Sequence, residues 1–431
     1  MDKWRDIADL VVRATLDAAN AGQALRRAWK PIGDGPLLVL SIGKASVEMA
    51  VTASELLAGR AFEGIVSAVP ERISPAPGER WRIFPCDHPL ATQRNLDASA
   101  YIESRACDFA KSHAGRGQLV VLISGGGSAH LTLPADGVSL AEYIELQRRL
   151  MLAGATINEL NAVRKHSERL KGGRLAVLAH GLRIRALAIS DVIDDPIDVI
   201  ASGPLAPDPS TFADAIDVVS RRDCRGVAPS VDELLERGSR GQVTETPKPG
   251  ESIFDRIDSQ IIASNTAAVD AVTEALQSRF KVAQRRAGVT GEARDVAREL
   301  VDAIVEEIDS HHAPACIVWG GEPTVTVGQA KGRGGPSQEL VLAAAIEIER
   351  RGIDDVRVVS FSTDGVDGPT GNAGGIGDAA LCRELRAMGR DPVAMLDSHD
   401  CAAALELAGH AITTGPTGTN VNHVFVAIAG G

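Results

Sequence analysis

Along this chain, uncharged runs of β-branched and aliphatic residues end abruptly on glycine and a polar side chain. Leu119 to Ala129 reads LVVLISGGGSA, an apolar run closed by Ser124, then Gly125, Gly126, Gly127 and Ser128. A parallel strand buried on both faces shows such continuous hydrophobicity, and glycines at its carboxyl end let backbone N–H groups approach a ligand with no Cβ in the way. The pattern recurs at Leu37 to Ser46 (LLVLSIGKAS), closed by Gly43 and Lys44, and at Ile317 to Pro323 (IVWGGEP), closed by Gly320, Gly321 and Glu322. It recurs again at Val358 to Pro369 (VVSFSTDGVDGP), closed by Asp364, Gly365, Asp367 and Gly368. Ligands of open α/β sheets collect outside the carboxyl ends of strands, so these polar strand ends predict one composite site.

Between the runs the spacing turns helical. Trp4 to Trp29 carries apolar residues at Ile7, Leu10, Val11, Ala14, Ala18 and Leu25, an amphipathic opening helix. Strand-like runs over 37–42, 64–69, 119–123 and 184–190 alternate with long helical segments such as 140–157. This alternation predicts an α/β fold built on a layered parallel sheet. From Arg221 to Phe254 the pattern dissolves into RGSRGQVTETPKPGES, a domain boundary or an exposed excursion. The expected division is therefore a first domain over 1–235, a linker over 236–258 and a second domain over 259–431. In the second domain, 259–264, 280–286, 315–319, 356–361 and 421–428 read as strands, and 267–279, 291–309, 338–350 and 400–408 as helices.

Composition narrows the class. At 431 residues, with 44% hydrophobic and 24% charged, the chain is long enough for two cores. Aromatic residues are only 3%, so loops rather than aromatic platforms do the recognising. A net charge of −12 argues against a nucleic-acid or anionic-membrane surface, and anionic substrates have to be met by local cations. The six cysteines show no C-x-x-C pair and no zinc spacing, which fits free thiols in a reducing compartment. Charges every few residues in MDKWRDIADLVVRATLDAAN exclude a signal peptide or membrane span there, so the cytoplasm is expected.

Against that background the cations and carboxylates at the strand ends gain meaning. Lys44, at a strand-to-helix turn, can reach phosphate or carboxylate oxygens as a compact charge. The G-x-x-x-x-G-K-[ST] spacing of a Walker A loop is absent. Asn161 to Gly173 (NAVRKHSERLKGG) packs Asn161, Arg164, Lys165, His166, Arg169 and Lys171 into one helical stretch, either a solvated basic face or an anion clamp. Ala188 to Pro204 (AISDVIDDPIDVIASGP) sets Asp191 directly after a strand, with Asp194 and Asp195 in turn-forming sequence. Carboxylates in such places hold Mg²⁺ or take a proton from a hydroxyl; Asp191, Glu322 and Asp364 are the candidate metal ligands. No H-E-x-x-H pair supports a catalytic zinc, and Ser124 does not sit in a G-x-S-x-G elbow.

Eight motifs together carry a resemblance. SIGKAS at 41–46, ISGGGSA at 123–129, LNAVRKHSERLKGGRLA at 160–176, SDVIDDPIDVIASGP at 190–204, GGEPTV at 320–325, GRGGPSQEL at 332–340, STDGVDGPTGNAGG at 362–375 and TGPTGTNVNHV at 414–424 resemble the two-domain glycerate 2-kinase family. The resemblance implies a larger Rossmann-like parallel α/β/α amino-terminal domain, a carboxy-terminal α/β MOFRL domain and an interdomain cleft. It implies ATP- and Mg²⁺-dependent phosphorylation of the C2 hydroxyl of D-glycerate, with a homodimer possible; some relatives carry a hydroxypyruvate reductase label. Catalytic roles then fall to Lys44, Asp191 and Arg333. Substrate or nucleotide binding falls to Ser124, Gly125, Gly126, Gly127, Ser128, Asn161, Arg164, Lys165, Gly320, Gly321, Gln338, Asp364 and Asn420. Two departures stand out: Pro336-Ser337 replaces the Arg-Asn common before Gln-Glu, and His423 replaces the Asp common after N-V-N. The alternatives are an NAD(P)H-dependent hydroxypyruvate reductase, for which no G-x-G-x-x-G fingerprint is evident, and a kinase acting on a longer acid such as erythronate.

Overall fold

The computed structural model describes residues 2–30, 32–311, 314–328 and 330–430. Among them no helix is long and apolar enough to cross a membrane, and all six cysteines are unpaired. The chain divides into two compact units, one spanning Ala24–Ile262 and the other joining the opening residues through Gln23 to Ala263–Gly431.

The first unit is built on β1 (Leu37–Ile42), β2 (Glu63–Ala68), β3 (Trp81–Pro85), β4 (Gln118–Ile123), β5 (Arg183–Ile189) and β6 (Ile257–Ala263), in the sheet order β3-β2-β1-β4-β5-β6. The β1–β2, β2–β3, β1–β4 and β4–β5 pairs are all parallel. Every side chain of β1 is buried, Ser41 included, as expected of a mostly apolar central strand. Leu38, Leu40, Ile42, Val121 and Ala188 share one core with Ile102 and Phe109 of the helix Gln93–His113. This is the doubly wound order, and the chain reverses direction across the sheet between β1 and β4. The loops after these two strands part there and leave a crevice.

The second unit holds β7 (Lys281–Glu292), β8 (Ala315–Thr324), β9 (Val356–Ser362), β10 (Gly374–Gly377), β11 (Ala411–Ile412) and β12 (His423–Ala429), in the order β11-β10-β9-β12-β8-β7. Its sheet is mixed: β12 runs antiparallel to both β8 and β9, whereas β7 and β8 are parallel. Leu340, Val341 and Ala344 of the helix Pro336–Arg350 pack with Val358 and Phe425 in its core.

Two boundaries differ from the sequence expectation. The opening helix breaks at Asn20 into Asp2–Ala19 and Ala21–Ala28, and the first piece belongs with the second unit. Its apolar stripe, including Ile7 and Val11, is buried against the helix Asn265–Leu276. Thr419 donates a hydroxyl hydrogen bond to the Ala19 carbonyl at 2.7 Å, and the Arg357 guanidinium lies 4.2 Å from the centre of the Trp4 ring. The strand expected over 259–264 forms, but it extends the first sheet as β6 instead of opening the second.

Candidate active site

The carboxyl ends of β1, β4 and β5 are neighbours, and the loops that leave them carry Lys44, the triple-glycine turn and Asp191. The two loops at the crevice are latched together. Lys44 N–H donates to the Gly125 carbonyl at 2.9 Å, Ala45 N–H to Ser124 Oγ at 3.0 Å, and Ser124 Oγ to the Ile42 carbonyl at 3.2 Å. Ser124 is thus a buried tie between the two loops at the edge of the cavity it lines. Gly125 is demanded by proximity, because a Cβ there would run into the Asp191 carboxylate. Gly126 has φ +83°, a backbone state that favours glycine, and a Cβ there would press on the His88 ring and on Lys44 Cγ. Among the described residues the Gly125 and Gly126 N–H groups have no protein acceptor.

His88, Ser124, Gly125, Gly126 and Asp191 line a cavity of about 380 Å³ together with Gln147 and Arg164, and Lys44 lies behind its Gly126 edge, with Cγ 3.3 Å from where a Gly126 Cβ would stand. The electrostatics of the cavity are set by desolvation. Burial, then the Lys44 ammonium, pushes His88 down to about 4. His130 is also pushed down to about 4, chiefly by burial and against a hydrogen bond to the Ser67 carbonyl. Both rings are therefore neutral at pH 7. Burial raises the Asp191 carboxyl above the ordinary range despite the nearby Lys44. A carboxylate so raised accepts a proton more readily.

The helix Ile157–Ser167 supplies the basic stretch, and the structure sorts its residues. Arg164 faces the cavity with its Nε–H held by Gln147 Oε1 at 2.9 Å. Asn161 is buried and accepts from Ser202 Oγ at 2.8 Å; Ser202 in turn meets Ser128 Oγ at 2.9 Å, tying the helix to the glycine loop. Lys165 turns away into a buried cluster, 3.2 Å from Asp198 and 3.3 Å from Asp208. The segment after β5 holds Asp194, Asp195, Ala201 and Ser202 at positive φ, a concentration of backbone strain beside the cavity that typifies functional sites.

In the second unit, Asp367 caps the helix Pro336–Arg350, accepting from Ser337 N–H at 3.1 Å, Gln338 N–H at 2.8 Å and Gln338 Nε2 at 2.9 Å. Gln338 is fully buried and clamped by this carboxylate. Burial outweighs those hydrogen bonds and pushes Asp367 up to about 6. His423, pushed down to about 4 by burial, pairs its Nδ1 with Ser337 Oγ at 2.8 Å, so the two departures from the family pattern touch each other. Asp364 accepts from Ser362 Oγ at 2.8 Å, and Asn420 Oδ1 from Asn422 N–H at 3.0 Å. Arg333 is half exposed, 3.6 Å from Glu406.

Several expectations change. Gly320 and Gly321 lie within β8, which continues to Thr324, so they form no loop around a ligand. A Cβ at Gly320 would strike the Asn265 side chain and one at Gly321 the Val289 backbone, so both glycines serve strand packing. Among the described residues no three His, Cys, Asp or Glu side chains gather as a metal site, and the trio Asp191, Glu322 and Asp364 is no exception. Asp191 belongs to the first unit, Glu322 and Asp364 to the second. Sequence reasoning passed over His88, Tyr143 and Gln147 in the cavity wall. Tyr143 and Gln147 are four apart on the helix Leu140–Leu152, a one-turn spacing that was the available signal.

Comparison with known proteins agrees with this architecture. Residues 7–236 match the family described as Domain of unknown function (DUF4147), and residues 315–423 match the MOFRL family. A glycerate 2-kinase of Pyrococcus horikoshii is 35% identical, covering 98% of this chain and 97% of its own. A D-glycerate 2-kinase of Thermotoga maritima is 33% identical, covering 99% of each. The crystal structure of a glycerate kinase from Thermotoga maritima superposes with a TM-score of 0.89 at 32% identity, covering 100% of both chains. With its doubly wound first unit, its mixed-sheet second unit and relatives that match it from end to end, the chain belongs to the glycerate 2-kinase family.

Proposed function

We propose that the protein transfers the γ-phosphoryl group of ATP to the C2 hydroxyl of D-glycerate, yielding 2-phosphoglycerate and ADP. The observation that carries this reading is the meeting of the loops that bear Lys44, the glycine turn and Asp191 at the β1/β4 switch point, beside a cavity lined by the glycines, Asp191 and Arg164. The relatives named glycerate 2-kinase support the choice of acid.

Phosphoryl transfer asks a protein for positioning and for charge stabilisation, with little covalent work. Arg164 presents a planar fork matched to the glycerate carboxylate. Lys44 and the Gly125 and Gly126 N–H groups receive phosphate oxygens, a cradle that a Cβ at either glycine would fill. Asp191 accepts the C2 hydroxyl proton as that oxygen bonds to the γ-phosphorus, while the bond from phosphorus to the β,γ-bridging oxygen breaks and ADP leaves. Asp191 or Asp364 would hold Mg²⁺ through a carboxylate oxygen, and the ion, when bound with ATP, would supply charge neutralisation at the phosphates. The second unit contributes Arg333 and the Asp364 turn to the same reaction in this reading.

The test is a coupled ADP-release screen over 2-hydroxy acids, with the phosphorylated position read by phosphorus NMR. D-Glycerate should give the highest kcat/KM and a single 2-phosphate product. NADH oxidation with hydroxypyruvate, without ADP formation from any acid, would replace the kinase reading with the reductase.

A further inference from the structure

Gln147 is 5% exposed, lies one helical turn after Tyr143 and lines the cavity beside Arg164. Its amide orientation is fixed, because the guanidinium has only donors and its Nε–H points at Gln147 Oε1 from 2.9 Å. The other end of the amide, Nε2, is therefore a donor, and among the described residues it is buried with no acceptor. The nearby carboxylate of Glu168 is already engaged by the Tyr143 hydroxyl, the Lys171 ammonium and Leu133 N–H. A buried donor without a partner is costly, and such a donor in a ligand cavity finds its partner in the ligand.

We propose that Gln147 determines specificity: its Nε2 donates to the C3 hydroxyl oxygen of the acid whose carboxylate Arg164 grips. This rests on the reading that the cavity holds the sugar acid. A guanidinium fork matches a carboxylate, and the neutral amide donor next to it matches a neutral hydroxyl two carbons further along the acid, past the C2 hydroxyl that reacts. A site built to hydrogen-bond a substrate hydroxyl rejects the analogue lacking it, because the donor is then left unpaired.

D-Lactate is that analogue, with the carboxylate and C2 hydroxyl of D-glycerate and a methyl group in place of the C3 hydroxymethyl. Dissociation constants of both acids are measured by calorimetry on the full-length wild type and on Gln147→Met, with thermal melts as the folding control. The wild type should prefer D-glycerate, and Gln147→Met should cut that preference about tenfold while the KM for ATP stays within about twofold. Comparing the two acids cancels any loss through Arg164, which both acids share. A glycerate-to-lactate ratio equal in wild type and variant overturns the proposal. Should Gln147→Met fail to fold, Gln147→Asn withdraws the amide by one methylene and is read by the same ratio. Absence of ADP formation from D-glycerate by the wild type would refute the kinase reading, a result distinct from an unchanged ratio.

Discussion

Lys165 separates the two meanings a basic residue can have in this chain. Its neighbour Arg164 faces the cavity, while the Lys165 side chain is 4% exposed and lies between Asp198 and Asp208. Lys165→Met removes the ammonium and leaves Asp208, itself fully buried, with Ser210 N–H at 3.0 Å, Ser210 Oγ at 2.7 Å and Thr246 Oγ1 at 2.9 Å. Removing one partner of a buried ion pair costs about 3–5 kcal/mol, and these three surviving donors place the loss near the lower end, about 3 kcal/mol. For a unit of this size that lowers the melting temperature by about 6–12 °C. The pH dependence has a definite sign. Burial raises the Asp208 pKa, but Lys165 and the Ser210 hydrogen bonds outweigh it and hold the carboxyl below its ordinary value. Its contribution to stability is therefore present above the unfolded pKa near 3.9 and lost as pH falls through the folded one. Without Lys165 the burial effect prevails, so the deficit of the variant should be largest at pH 7 and narrow in acid. Asp208→Asn added to Lys165→Met should recover most of the loss, since no buried charge then stands alone. Calorimetric melts of the single and double variants, with kcat/KM per folded molecule, check this. A Lys165→Met protein that melts with the wild type but has lost its affinity for the acid would refute the structural role and restore Lys165 as a binding residue.

The other expectations concern the cavity and the buried histidines. Lys44→Ala should reduce kcat by more than about 10³-fold with little change in melting temperature, because the side chain is only partly buried and its backbone latch survives; near-normal ATP-dependent turnover would remove it from the mechanism. Gly125→Ala should fold yet lose at least about 10²-fold in kcat/KM, because the new methyl displaces the Asp191 carboxylate; wild-type kinetics would show that Asp191 does not act there. His130 and His423 have folded pKa values of about 4, so the unfolded chain binds more protons below 6.5, and their stabilisation is present above 6.5 and lost as pH falls toward 4. Each should cost about 1.4 kcal/mol between pH 7.5 and 5.5, seen as a lower urea midpoint, and imidazole NMR signals titrating near 6.5 for these rings would contradict it.

Much of the fold was legible because the strands of the first sheet carry their burial in their sequence. β1, β4 and the carboxyl half of β5 are largely apolar runs, and the residues Lys44, Ser124 and Asp191 that follow them fall at adjacent strand ends. β3 was not legible, since in Trp81–Pro85 only Trp81 is buried, the other residues being half-buried or exposed, and the strand ends on proline, as an edge strand can. The opening helix was legible as a helix and illegible in its placement, because an amphipathic stripe states that a face is buried without stating against what. Gly320-Gly321 misled for a related reason. Glycine before a polar residue signals close approach of something, and here that is the Asn265 side chain and the Val289 backbone rather than a phosphate.

The basic stretch from Asn161 to Gly173 shows why charge counting along a sequence overstates an anion site. Arg169 is held by Glu103 at 2.8 Å and Asp136 at 2.5 Å, Lys171 by Glu168, and Lys165 by Asp198 and Asp208. Each of those cations is matched by a carboxylate that lies far away in sequence or behind a turn, so only Arg164 keeps its charge directed at the cavity. With His88 neutral, the cavity of a chain carrying −12 overall is lined by the Arg164 cation, and Lys44 stands close by, behind Gly126. A carboxylate and a phosphate chain are the two negative groups of the proposed reaction. In the proposed reaction the compact ammonium beside the glycine amides suits the phosphate, and the planar guanidinium beside an oriented glutamine suits the carboxylate.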